Sequence, residues 1–128
     1  MNLVVDIGNT NVKAALFNGE VLYRIFENVQ ALLKWLETHR TSNAILSRTG
    51  NVAEPEATLQ LKAIPYLIVN HKARLPIKIA YASPATLGAD RIAGSVAASA
   101  LFPGYPVLKI DFGRSEERRV GKECRSRW

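Results

Sequence analysis

The chain has 128 residues, 17 Lys and Arg, 11 Asp and Glu, a formal charge of +6, one cysteine and 48% apolar side chains. That length fits one domain with an ordinary core, and the apolar fraction excludes a disordered chain. No apolar run approaches a membrane span, no signal-peptide pattern opens the chain, and one cysteine cannot build a disulfide framework. A cytoplasmic location is expected, with no membrane partner.

The charge is unevenly placed. Residues 114–128 carry six basic and three acidic side chains, which is half of the net charge, and the lone Cys124. This segment has neither strand alternation nor a coherent apolar face. It could be a basic nucleic-acid-binding tail or a solvated terminus. A third reading is a foreign sequence: RSEERRVGKECRSRW matches, residue for residue, the in-frame translation of a common short-read sequencing adapter. We take the third reading, set the tail aside from fold reasoning, and expect no nucleic-acid partner.

Residues 2–6 form an apolar, β-branched run ended by an acid, as in a buried strand. Gly8-Asn9-Thr10 reads as a turn and 11–17 as a second strand. Asn18-Gly19 is a hairpin signal before a third strand at 21–26. Asn28 suits an N-cap, and Ala31, Leu32, Trp35 and Leu36 give helical spacing over 29–40. A short strand is expected at 44–47 and a weak helix at 56–64, with Pro55 at its start. Short strands are expected at 66–69 and 77–81, around a basic loop with His71, Lys72 and Arg74. A small-residue helix should run from Pro84 to about Leu101, broken by Pro103-Gly104, with a further strand at 107–111. Strands followed by alternating helices give an α/β class.

Two segments share one pattern. Leu3 to Gly8 and Leu108 to Gly113 both read as apolar strand, Asp, apolar residue, Gly. Asp6 and Asp111 are separated by about one domain length, as in a duplicated fold with a turn from each half facing one cleft. The chemistry of the first turn suits phosphate. Asp6 can hold a hydrated Mg²⁺, Gly8 lets backbone approach an anion, Asn9 and Thr10 add polar groups, and Lys13 adds positive charge. The plain alternative is a hairpin whose Asp and Asn satisfy their own backbone amides. A second constellation runs from Tyr81 to Arg91. Asp90 falls in the first turns of the small-residue helix, Gly88 leaves room beside it, and Arg91 can pair with a carboxylate. The plain alternative is an N-terminal helix charge beside a surface Arg. His39 and His71 have no ligand-spaced partners and read as surface residues, and Trp35 reads as helix core.

At these residues the sequence resembles a type III pantothenate kinase. MNLVVDIGNTNVKAALF is similar to that family's D-x-G-N-T-x-x-K motif, TLGADR to its G-x-D-R motif with Tyr81 upstream, and KIDFG to the start of its D-x-G-T motif. The resemblance covers 1–113, about half of a family member. It implies an actin/hexokinase-like (ribonuclease H-like) fold, the first half of a duplicated two-domain kinase. A first domain would span 1–106 and the start of a second 107–113. It implies that Asp6, Ile7, Gly8, Asn9, Thr10, Asn11, Val12 and Lys13 bind ATP, with Asp6 near Mg²⁺. It implies that Tyr81, Gly88, Ala89, Asp90 and Arg91 contact pantothenate, and that Asp90 is the catalytic base. Asp111 would ligate K⁺ or NH₄⁺, and the family is homodimeric.

The product would be 4′-phosphopantothenate, at the first step of coenzyme A synthesis. Arg114 stands where the family has Thr, and without a second domain the chain as written is expected to be inactive, marginally stable and prone to associate. Rival readings are another small-molecule kinase of the superfamily, acting on a sugar or acetate, and a non-catalytic binding or regulatory module.

Overall fold

A computed structural model describes residues 1–110. Asp111, the expected cation ligand, and the whole 114–128 tail lie outside the described residues.

The elements are β1 (Asn2–Ile7), β2 (Val12–Asn18), β3 (Val21–Phe26), α1 (Val29–Thr38), β4 (Asn43–Arg48), α2 (Glu54–Leu61), β5 (Tyr66–Ile68) and α3 (Ala89–Leu101), with a 3₁₀ turn at Pro84–Thr86. The five strands make one mixed sheet in the order β3-β2-β1-β4-β5. β1 pairs antiparallel with β2 and parallel with β4, β2 pairs antiparallel with β3, and β4 pairs parallel with β5. The expected three-strand meander is thus present, followed by strands reached through helical crossovers. This is the α/β architecture expected of an actin/hexokinase-like domain.

Local chemistry explains the opening. Gly19 takes a φ of +60°, the left-handed conformation that the Asn18-Gly19 hairpin needs. The Asn28 side chain caps α1 by accepting the Ala31 amide at 2.9 Å. α1 then buries Leu32, Trp35 and Leu36. The Trp35 ring meets Phe26 at 5.7 Å between centroids and stacks on exposed His39 at 4.4 Å.

Period-two alternation gives the sheet two unlike faces. Leu3, Val5 and Ile7 of β1, with Ala14, Leu16, Ala44 and Leu46, form a buried inner face under α1 and Leu59 of α2. The outer face carries one row of apolar side chains across all five strands. Paired registers align Ile25, Ala15, Val4, Ile45 and Leu67. Of these, Val4 is 38%, Ile45 41%, Leu67 43% and Ile25 61% exposed. α3 covers only the carboxyl end of this face, where Ala89 and Ile92 pack with Val69 just past β5.

Four expected elements differ. Residues 77–81 form no strand: they run as an unladdered strap, with Ile77 and Ile79 half-buried. Their alternation faces the small core of α3 and Val69 instead of a sheet neighbour. The helix expected from Pro84 is interrupted. Thr86 and Leu87 amides close a 3₁₀ turn onto Ser83 and Pro84, after which Leu87 and Gly88 are extended (ψ 123° and 141°). α3 therefore starts at Ala89. Residues 107–110, expected as strand, have no ladder partner among the described residues. The second helix also starts earlier than expected, at Glu54, with Pro55 inside its first turn, where its missing N–H costs nothing.

Candidate functional site

The first half of the site is the turn that joins β1 to β2. Asp6 leaves the outer face near the carboxyl end of β1, where its neighbours in register are Lys13 on β2 and Ser47 on β4. Since partners in register share a face, Lys13, Asp6 and Ser47 form a polar row one step beyond the apolar row. Asp6, Asn9, Thr10, Asn11 and Lys13 are exposed, whereas Ile7 and Val12 point into the inner core. The expected ATP contacts of Ile7 and Val12 are therefore open only to their backbone. Gly8 donates its amide to the Asn11 carbonyl at 2.9 Å, closing the turn.

The second half is the start of α3. Gly88 is its N-cap, and its carbonyl accepts the Arg91 and Ile92 amides, both at 3.1 Å. Asp90 lies in the first turn, where the helix dipole stabilises an anion. Its carboxylate folds back over the Gly88 α-carbon: a Cβ there would meet Asp90 Oδ1. Asp90 and Arg91 are exposed, and Ala89 is buried against Val69 and Ile92.

Tyr81 borders a shallow cavity of about 170 Å³ between the 77–81 strap and α3. Leu87, Ile92 and Ser95 line it with Ile77, Lys78 and Ile79, so the cavity is mostly apolar.

Both halves share one face and one end of the sheet. Val69 and Ser47 stand on the outer face, as Asp6 and Lys13 do, and Val69 donates its amide to Leu46 beside Ser47. α3 contacts β4, the strand next to β1. Its first turns pack through Ala89 and Ile92 on Val69, at the same end of the sheet as the β1–β2 turn.

Three residues of the site were not anticipated from sequence. Ser47 is only 8% exposed, and its hydroxyl has no hydrogen-bond partner among the described residues. Thr49 and Gly50 dock the loop after β4 onto the turn. The signal was present as S-R-T-G-N directly after a strand, which reads equally well as an ordinary turn. Next to them, half-buried Arg48 pairs with Glu56 at 2.5 Å, and Tyr66 donates to the same carboxylate at 3.1 Å. This network holds α2 to the sheet.

Among the described residues there is no cluster of three or more His, Cys, Asp or Glu side chains able to cage a metal. The lone Asp6 carboxylate still fits a magnesium ion, which commonly binds through one or two carboxylates and keeps several waters.

A family model for type III pantothenate kinase matches residues 2–115. The chain belongs to the type III pantothenate kinase family. It is 34% identical to the type III pantothenate kinase of Cytophaga hutchinsonii over 115 residues, covering 88% of this chain and 48% of that protein. It is 36% identical to that of Bacteroides fragilis and 39% identical to that of Christiangramia forsetii, covering 88% of this chain and 49% of each relative. The chain thus spans about half the length of the curated relatives it matches. No helix among the described residues is long and apolar enough to cross a membrane.

Proposed function

We propose that the full-length protein containing this segment phosphorylates pantothenate with ATP, giving 4′-phosphopantothenate, the first intermediate on the way to coenzyme A. The observation that carries this reading is the shared position of the two halves. The Lys13–Asp6–Ser47 row and the Asp90 turn of α3 occupy the same face and the same end of one sheet. A phosphate donor and an alcohol acceptor bound to them would meet over β1 and β4.

In this reading the β1–β2 turn binds the ATP phosphates through the backbone of residues 6–13, and Lys13 offsets their charge. Mg²⁺ held by Asp6 through water would screen the phosphate oxygens. Tyr81 and the apolar cavity beside it receive the branched end of pantothenate, with Gly88, Ala89 and Arg91 completing the acceptor site. Asp90 takes the proton of the primary hydroxyl. That oxygen forms the new bond to the γ-phosphorus, and the bond to the bridging oxygen breaks, with its electron pair leaving on ADP. The protein's main contribution is to align donor and acceptor and to stabilise charge. Asp111 as ligand of K⁺ or NH₄⁺, a homodimeric assembly and a cytoplasmic setting belong to the same proposal.

The test is Asp90→Asn in the full-length protein. A general base is worth about 10²–10⁴-fold, so turnover should fall by at least that lower figure while ATP affinity changes little. Unchanged turnover would remove Asp90 from this role, and parent protein without turnover would leave a binding module. Faster phosphorylation of a sugar or acetate than of pantothenate would move the protein to another small-molecule kinase class.

A further inference from the structure

The β1–β2 turn is held by more than its own hairpin. The Ile7 carbonyl, the last acceptor of β1, takes the Thr49 amide at 2.8 Å, the Gly50 amide at 2.9 Å and the Thr49 hydroxyl at 3.3 Å. These bonds bring the loop after β4 onto the turn. Gly50 is buried there, with its α-carbon against the Gly8–Asn9 peptide.

The contact has no room for a side chain. A Cβ on Gly50 would lie 2.1 Å from the Gly8 carbonyl oxygen, 2.7 Å from its carbon and 3.2 Å from the Asn9 nitrogen. All three are backbone atoms, so none can rotate away. Conformational freedom is not the reason for this glycine: positive φ among the described glycines occurs only at Gly19 and Gly104.

The order of the three distances gives the direction of the peptide. The Gly8 oxygen is nearest and the Asn9 nitrogen farthest, so the oxygen side of this peptide faces Gly50. In a planar trans peptide the N–H points opposite to the C=O. The Asn9 N–H therefore lies on the side of the peptide away from Gly50, in a residue that is itself exposed. We infer that Gly50 is a positioning residue for nucleotide phosphate: its bare α-carbon seats the Gly8–Asn9 peptide so that the Asn9 amide is presented to a phosphate oxygen. This rests on the reading of residues 6–13 as the ATP phosphate turn.

The experiment compares Gly50→Ala with Gly19→Ala in the full-length protein. Each loses stability, but Gly19 sits in the distant β2–β3 hairpin, with nothing near its α-carbon. Titrations with Mg·ATP and with pantothenate are made at a temperature where all the proteins are folded. Gly50→Ala should weaken Mg·ATP binding at least tenfold and leave pantothenate affinity within twofold. Gly19→Ala should leave both within twofold. Mg·ATP affinity within twofold of the parent in Gly50→Ala would overturn the inference while leaving the phosphate turn intact. A parent protein that does not bind Mg·ATP would remove the phosphate-turn reading, and the inference with it. If Gly50→Ala does not fold, amide spectra of the parent decide. Mg·ATP should shift the Asn9 amide strongly and the Gly50 amide, already bonded to Ile7, much less. An unmoved Asn9 amide would overturn the inference.

Discussion

The two faces of the sheet are built from the same strands by the same alternation, yet they are packed very differently. On the inner face Leu3, Val5, Leu16, Leu32, Leu36, Leu46 and Leu59 are essentially inaccessible to water. On the outer face the row from Ile25 to Leu67 stays largely open, and α3 packs only at the carboxyl end. The inner face supplies the hydrophobic stabilisation, while the outer face supplies the polar row and the seat of α3. Stability and chemistry are therefore separable by mutation, because adjacent residues of one strand serve different ends.

The sharpest test of that separation is Leu46→Ala. Truncating a fully buried leucine leaves a cavity, and the expected loss is about 2–5 kcal/mol, read as a fall in the denaturant midpoint. A loss below about 1 kcal/mol would mean that the inner face is loosely packed. Asn28→Ala comes next. It removes the cap of the helix that covers this face, at an expected cost of about 1 kcal/mol, seen by chemical denaturation. Ile45→Thr, one residue from Leu46 but on the other face, should change stability by only about 0.5 kcal/mol or less. A cost comparable to that of Leu46→Ala would show that the outer row is covered in solution. The smallest thermodynamic effect is expected of Val4→Lys, which should leave the denaturant midpoint nearly unchanged while lowering self-association in sedimentation at high concentration.

Much of this arrangement is legible in the sequence, for identifiable reasons. The β1–β3 meander follows from β-branched alternation and from Asn18-Gly19, signals that need no tertiary partner. α1 follows from its apolar spacing and the Asn28 cap. Sequence reasoning fails where the outcome depends on a neighbour. Ile77 and Ile79 alternate like a strand, but no strand among the described residues pairs with them; Ile79 packs on the small α3 core and Ile77 lines the cavity beside it. Pro84 looks like the first residue of a long helix, but the chain straightens at Leu87 and Gly88 before α3 begins. The Asp90 turn is legible because acid and glycine lie only two residues apart in sequence. Ser47 and Gly50 are not, because their meaning comes from Asp6 and Gly8, about forty residues away.

That separation bears on the order of assembly. The two hairpins of the meander close over short loops, and such local contacts form within microseconds. β4 reaches β1 only through a crossover, and Thr49 meets Ile7 across 42 residues of chain. Closing the longer loop costs more entropy and is the slower event. The β1–β2 turn should thus exist early as a hairpin tip free to change shape. It becomes rigid only when β4 docks and carries Gly50 against it. Competence to grip an anion would then be acquired late, as a report that the parallel half of the sheet is in register.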